Sequence, residues 1–321
     1  MKKIILFIVF AIVIIGCNKK ETAKTEIAKT QEQLMAEMYP KPTVEIKTIG
    51  ILLYDNYAVL DAMGPFHVFN ELMGVNVFFV GRHKGLITTA NGMKVQCDKS
   101  IDDVKQLDIL LIPGGLNETY ALTKDTVLLN WIKDIDKNSK YTTSVCTGAW
   151  ILAATGLLKD KNATTHWYGK KLLKDEFGIN VQNERYVKSG KYWSSAGVSA
   201  GIDMSLAIVQ EINGDNYVKT AMLDMEYDPK PPVIGGSEQN TDKIIVENMR
   251  KMYGGSMEIA LHPEKGFKNM KFEKNKDLMC GMPLTSSAVD TTIYKGKIYG
   301  FCSSRCKEAF KKNPVSFITS K

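Results

Sequence analysis

At 321 residues and 44% hydrophobic content, the chain can bury a full core and still supply a second, smaller unit, which excludes a protein that stays unfolded. The net charge of +7 is unevenly placed: residues 271–321 hold ten Lys and Arg against four Asp and Glu, so the tail and not the main domain is basic. Lysines scattered over a small unit read as a solvated face, an acidic partner or a membrane surface being the alternative, and no nucleic-acid partner is expected.

Lys2 and Lys3 precede an apolar run over residues 4–15, too short to span a bilayer comfortably and laid out like a secretory signal. It ends Gly16-Cys17, and residues 1–16 resemble a bacterial lipoprotein signal; an anchor helix with an incidental cysteine is the alternative. The resemblance implies cleavage before Cys17, lipidation of that residue, and attachment to a membrane of the cell envelope with the folded part outside the cytoplasm. Residues 17–46 are rich in Lys, Glu, Thr and Gln and read as a tether.

Residues 49–54 are a continuous apolar run suited to a buried parallel strand, and Asp61 then opens a helix reaching about residue 72. A strand over 75–80, a polar hairpin over 86–98 and a buried strand over 108–112 follow, the last closing on Pro113-Gly114-Gly115. A fourth strand over 141–145 gives way to a helix over 149–158, and a helix over 200–212 comes after short segments around His166 and residues 193–198. Strands alternating with helices predict a parallel α/β sheet covered on both faces, with sites at the carboxyl ends of strands.

Three such ends carry chemistry. Ser144-Val145-Cys146-Thr147-Gly148 spans a strand-to-helix junction, where a tight turn aims a cysteine out of the sheet and the helix N-terminus biases it toward thiolate. The competing reading of Cys146 is a small buried hydrophobe. Gly114 and Gly115 let backbone amides approach a ligand, with the Thr147 amide as a second oxyanion donor. Asp61 is either an acid/base or a simple helix N-cap.

Leu60-Asp61 with Gly64-Pro65, the Ile112 to Gly115 turn, the Cys146 elbow, Ala163-Thr164-Thr165-His166-Trp167, Ala200-Gly201-Ile202-Asp203 and the ending over 227–232 together resemble the ThiJ/PfpI family of the class I glutamine amidotransferase-like superfamily. The nearest branch holds isonitrile hydratase and the sensing halves of AraC-type regulators. The resemblance covers about residues 47–232 and implies a flavodoxin-like sandwich, a homodimer, a small-molecule ligand, no cofactor in this domain, and a site of Cys146, Asp61, Thr147 and Gly115. Thr147 stands where peptidase-like members carry His, so a Cys-His pair of that kind is absent. His166 is read as structural, with a role as base the alternative.

Residues 233–270 read as a closing helix over 242–252 and a linker. In residues 271–321, Cys280, Cys302 and Cys306 are too tightly clustered for chance, and an odd count argues against a purely disulfide framework. Cys280-Gly281-Met282 and Phe301-Cys302-Ser303-Ser304-Arg305-Cys306 resemble the YHS domain, related to TRASH knuckles, although Leu278-Met279 replaces the usual Pro-Val. That predicts a small cysteine-knuckle α+β domain binding Cu(I) or Zn through three thiolates and an unassigned fourth ligand, one disulfide with a spare thiol being the alternative. Two functions compete: an isonitrile hydratase-like enzyme, or a module that senses a small molecule or metal and thiol stress without turnover.

Overall fold

The computed structural model describes residues 29–261, 271–282, 284, 290–302 and 304–319; the expected signal, Cys17 and the start of the tether lie outside the described residues. The rest of the tether is not featureless. Helix α1 (Gln31–Met38) forms because Thr30 Oγ1 accepts the Gln33 amide while Gln33 Oε1 accepts the Thr30 amide, a reciprocal cap that satisfies two end donors.

The main domain runs β1 (Thr48–Leu53), α2 (Val59–Asn70), β2 (Asn76–Gly81), the hairpin β3 (Gly85–Thr88) and β4 (Lys94–Cys97), β5 (Lys99–Ser100), β6 (Ile109–Ile112), α3 (Asn117–Leu122), α4 (Thr126–Asp136), β7 (Tyr141–Val145), α5 (Gly148–Ala154), β8 (Asn162–Ala163), α6 (Lys170–Asp175), β9 (Asn180–Val181), β10 (Tyr186–Ser189), β11 (Tyr192–Ser195), α7 (Ala200–Asn213), α8 (Asp215–Asp224) and α9 (Lys243–Leu261). Seven strands form one sheet in the order β10-β11-β7-β6-β1-β2-β5, every neighbouring pair parallel except the edge pair β10 and β11. This is the expected flavodoxin-like α/β sandwich.

The continuous apolar runs have the predicted cause. All four residues of β6 are fully buried, as are Ile49, Ile51 and Leu53 of β1, because helices cover both faces of the sheet. Each such side chain contributes about 1.5–3 kcal/mol relative to exposure. The helix expected over 149–158 stops at Ala154, and Gly156 (φ +81°) turns the chain; Leu158 still reads as helical from sequence because it packs into the core from that turn. The closing helix expected over 242–252 instead runs on to Leu261, through Gly254-Gly255, and packs against α3.

The C-terminal domain pairs β12 (Asp290–Tyr294) with β13 (Lys297–Phe301), followed by α10 (Ser304–Lys312) and α11 (Pro314–Thr319). Its core centres on Tyr299, Phe301 and Phe310, with the Phe301 and Phe310 rings 5.1 Å apart. So small a core is marginal by itself, and a bound ion is the usual staple for such a unit.

Candidate active site

β7 ends at Cys146, whose φ of +57° places a non-glycine residue in the left-handed region. The strain is held from the neighbouring strand end: the Cys146 amide donates to the Ser195 and Ala196 carbonyls at 3.1 and 2.8 Å, and its own carbonyl accepts the Thr165 hydroxyl at 2.7 Å. The turn also needs glycine opposite it. A Cβ on Gly114 would lie 2.6 Å from the Thr147 nitrogen and 2.8 Å from Cys146 Cβ. One on Gly148 would lie 2.2 Å from the Ile112 carbonyl oxygen.

Asp61 lies in the first turn of α2, completely buried, and is not its N-cap, which is Ala58. Its Oδ2 accepts the Gly114 amide at 2.9 Å, while Oδ1 is buried without a hydrogen-bond partner. Burial raises the carboxyl to about 7, against the lowering pull of the Gly114 amide and the adjacent Cys146 thiol. Asp61 is therefore poised between its two protonation states near neutrality.

The thiol departs from the sequence expectation. Burial pushes Cys146 well above the ordinary thiol range and the Asp61 charge pushes it further, outweighing the Thr147 amide and hydroxyl that favour the anion. Desolvation therefore wins over a helix N-terminus of only seven residues, and the resting group is a neutral thiol.

Thr147, Gly114 and Gly115 take roles other than those expected. Thr147 Oγ1 donates to the Gly115 carbonyl at 2.5 Å and accepts the Gly115 amide at 3.1 Å. The Thr147 hydroxyl is thus a clasp on the Pro113-Gly114-Gly115 turn. The Gly115 amide is taken by it, and the Gly114 amide by Asp61, so neither glycine supplies an oxyanion donor; the Thr147 amide instead addresses the Cys146 sulfur. His166 is held neutral, its pKa lowered to about 4 by burial and then by Lys170, and its ring packs edge-on against Tyr253 with centroids 5.7 Å apart. That surrounding supports the structural reading of His166.

In the C-terminal domain one ligand atom each of Asp277, Cys280, Cys302 and Cys306 falls within a 4.8 Å cluster. Cys302 Sγ lies 3.2 Å from Cys280 Sγ and 3.7 Å from Cys306 Sγ. Asp277, which the sequence pattern does not single out, is fully buried; its Oδ1 accepts the Met279 amide at 2.7 Å and its Oδ2 the Cys302 amide at 2.8 Å, bracing both arms of the knuckle. Three convergent sulfurs around one point fit a soft cation, with Cys280, Cys302 and Cys306 as ligands and Asp277 as the brace that orients them.

Comparison with known proteins agrees with this geometry. Residues 47–211, just over half the chain, match the DJ-1/PfpI family. The chain belongs to that family. Residues 275–321 match the YHS domain. Isonitrile hydratase from Pseudomonas putida is 34% identical over 211 residues, which are 66% of this chain and 92% of that protein. The HTH-type transcriptional regulator CdhR from Pseudomonas aeruginosa is 29% identical over 40% of this chain and 38% of its own length. Among solved structures, a ThiJ/PfpI family protein from Pseudomonas syringae superposes with a TM-score of 0.67 at 30% identity, covering 74% of this chain and 97% of that one.

The DJ-1/PfpI match ends at residue 211, and beyond it α9 contributes residues that the sequence motifs do not mark. Ser256 and Asn117 of α3 exchange hydrogen bonds at 3.0 and 3.2 Å. The Tyr253 ring packs against His166 and lines one cavity with Gly115, so α9 lies against the elbow side of the DJ-1/PfpI domain. The one sequence signal for this is an amphipathic run continuing past residue 252, masked by the Gly254-Gly255 pair.

Proposed function

We propose that the main domain hydrates isonitriles to N-substituted formamides, with Cys146 as nucleophile and Asp61 as acid/base. The observation that carries this reading is the completely buried Asp61 carboxyl, held by the Gly114 amide and adjacent to the Cys146 thiol, supported by the 34% identity to isonitrile hydratase. Ionised Asp61 takes the thiol proton as sulfur bonds to the terminal carbon, and returns that proton to the same carbon to give a thioimidate. Water then adds across the C=N bond, its hydroxyl on carbon and its proton on nitrogen; collapse releases the formamide and restores the thiol through Asp61. No proton or electron is gained or lost beyond one water.

The productive state holds one proton on the Asp61 and Cys146 pair, so kcat/KM is expected to rise with pH through about 7, the value of Asp61. The test is product formation from a series of isonitriles, followed by NMR, in wild type and Cys146→Ala. Turnover should vanish in the variant. Tight isonitrile binding without any formamide from wild type would replace this reading by a sensing role, which the burial of Cys146 to 5% exposure favours.

The C-terminal domain supplies a Cu(I) or Zn site in the same reading. Near-stoichiometric metal is expected in the purified full chain, with loss in Cys302→Ser and retention in Cys146→Ala. Crowding by Cys280 and then Cys306 holds Cys302 protonated when no cation is bound, so affinity should fall as pH falls. Metal content unchanged in Cys302→Ser would remove the site.

Lipid attachment at Cys17 places the protein at the cell envelope. In Cys17→Ala the precursor should accumulate unprocessed; mature-sized, membrane-bound variant protein would contradict lipidation.

A further inference from the structure

One cavity borders both the Gly115 loop beside the elbow and the outermost thiol of the cluster, Cys280. This cavity of about 570 Å3 is lined by Gly115 and Asn117 on the elbow side, by Tyr253 and Ser256 of α9, and by Cys280 and Met282 of the C-terminal domain. Gly115 is the residue clasped by Thr147, next in sequence to Cys146, and the Tyr253 ring packs edge-on against His166 with centroids 5.7 Å apart. Arg305 of α10 donates to Asn248 of α9 at 2.6 Å, which ties the C-terminal domain to the helix that forms the cavity wall.

Among the three thiols the exposures are ordered. Cys302 is buried, Cys306 is half-buried, and Cys280 is exposed and lines the cavity. Both carboxylate oxygens of Asp277 already accept backbone amides, which suits a brace and leaves three sulfurs as the soft donors. Three thiolates do not fill the four positions of a tetrahedral ion.

We propose that the C-terminal domain completes the substrate chamber, with Cys280 as the cavity-facing ligand of a soft cation whose remaining position is offered to soft-donor molecules in that chamber. The choice of donor rests on the function proposed above: an isonitrile presents one lone pair, on its terminal carbon, and soft d10 ions such as Cu(I) bind ligands of that kind. The same carbon is the one Cys146 attacks.

The experiment uses the full chain carrying Cys146→Ala, loaded with Cu(I) and titrated with tert-butyl isonitrile. The N≡C stretch is read by infrared difference spectroscopy and the affinity by calorimetry. A shifted stretch saturating at the Cu(I) content is expected, with binding at least ~10-fold tighter than in the metal-free protein. Cys280→Ser should abolish the shift. Because that change also touches the metal site, Ser256→Trp is the companion: it fills the chamber from α9, and should abolish the shift while the Cu(I) content stays the same. An unshifted stretch with Cu(I) in place, or a shift untouched by Ser256→Trp, overturns the proposal. Formamide production by wild type together with an unshifted stretch would sink the shared chamber alone. A shifted stretch with no formamide from wild type would sink the hydratase reading alone.

Discussion

Asp61→Asn is expected to lower isonitrile turnover by ~10²–10⁴-fold, the range for loss of a positioned acid/base, while raising the stability of the fold at neutral pH. The two effects share one cause. Asp61 is held in a completely buried site where its pKa rises from 3.8 to about 7, so the native state binds the proton more tightly than the unfolded chain does. A raised carboxyl pKa gives stability that is complete below 3.8 and is lost as pH rises through about 7. The wild-type deficit is thus absent below about pH 4, grows between pH 4 and 7, and levels above, with a ceiling on the order of 4 kcal/mol. Asn keeps an oxygen for the Gly114 amide and never carries charge, so denaturation midpoints of variant and wild type should coincide in acid and separate toward neutrality.

The same substitution moves the thiol the other way. Asp61 is one of the two influences that raise Cys146, and its removal should let Cys146 ionise more readily, so that iodoacetamide labels it faster even as turnover collapses. Cys97, itself buried and hydrogen-bonded to the Lys99 carbonyl, should label at an unchanged rate. Slower labelling of Cys146 in the variant would mean that Asp61 supports the thiolate instead of suppressing it, and the proton assignment would have to be reversed.

What the sequence makes legible depends on how far each signal reaches. Fully apolar β1 and β6 announce buried parallel strands, because burial on both faces leaves no polar alternation. Cys146 is legible because a strand, a tight turn and a helix meet within five residues. Its protonation state is not, since that depends on Asp61, 85 positions earlier, and on helices that close over it. The roles of Gly114, Gly115 and Thr147 are likewise invisible locally: a Gly-Gly turn signals close backbone approach, and only the fold decides that its amides meet Asp61 and the Thr147 hydroxyl. Asp277 precedes its cysteine by three residues and reads as a motif neighbour until its carboxylate is seen bracing the amides of Met279 and Cys302 on the two arms of the knuckle.

Gly148→Ala is expected to lower turnover by ~10²-fold although its side chain touches no reacting group. The added Cβ would stand 2.2 Å from the Ile112 carbonyl oxygen and 2.8 Å from that of Pro113, both backbone atoms that cannot swing aside as a flexible side chain would. Relief requires α5 to move away from the end of β6. Thr147 and Cys146 move with α5, while Gly114 and Gly115 stay with β6, so the Thr147 clasp and the approach of Asp61 to the thiol are both stretched. A displacement near 1 Å at a reacting pair costs about the stated factor, and overpacking of this kind destabilises by ~1–3 kcal/mol. Restoring the fold with a lower assay temperature should therefore leave kcat depressed, because misplacement and not unfolding removes the activity. Recovery of wild-type kcat on cooling would show that the elbow tolerates the shift, and that the close approach of Gly148 to β6 serves stability alone.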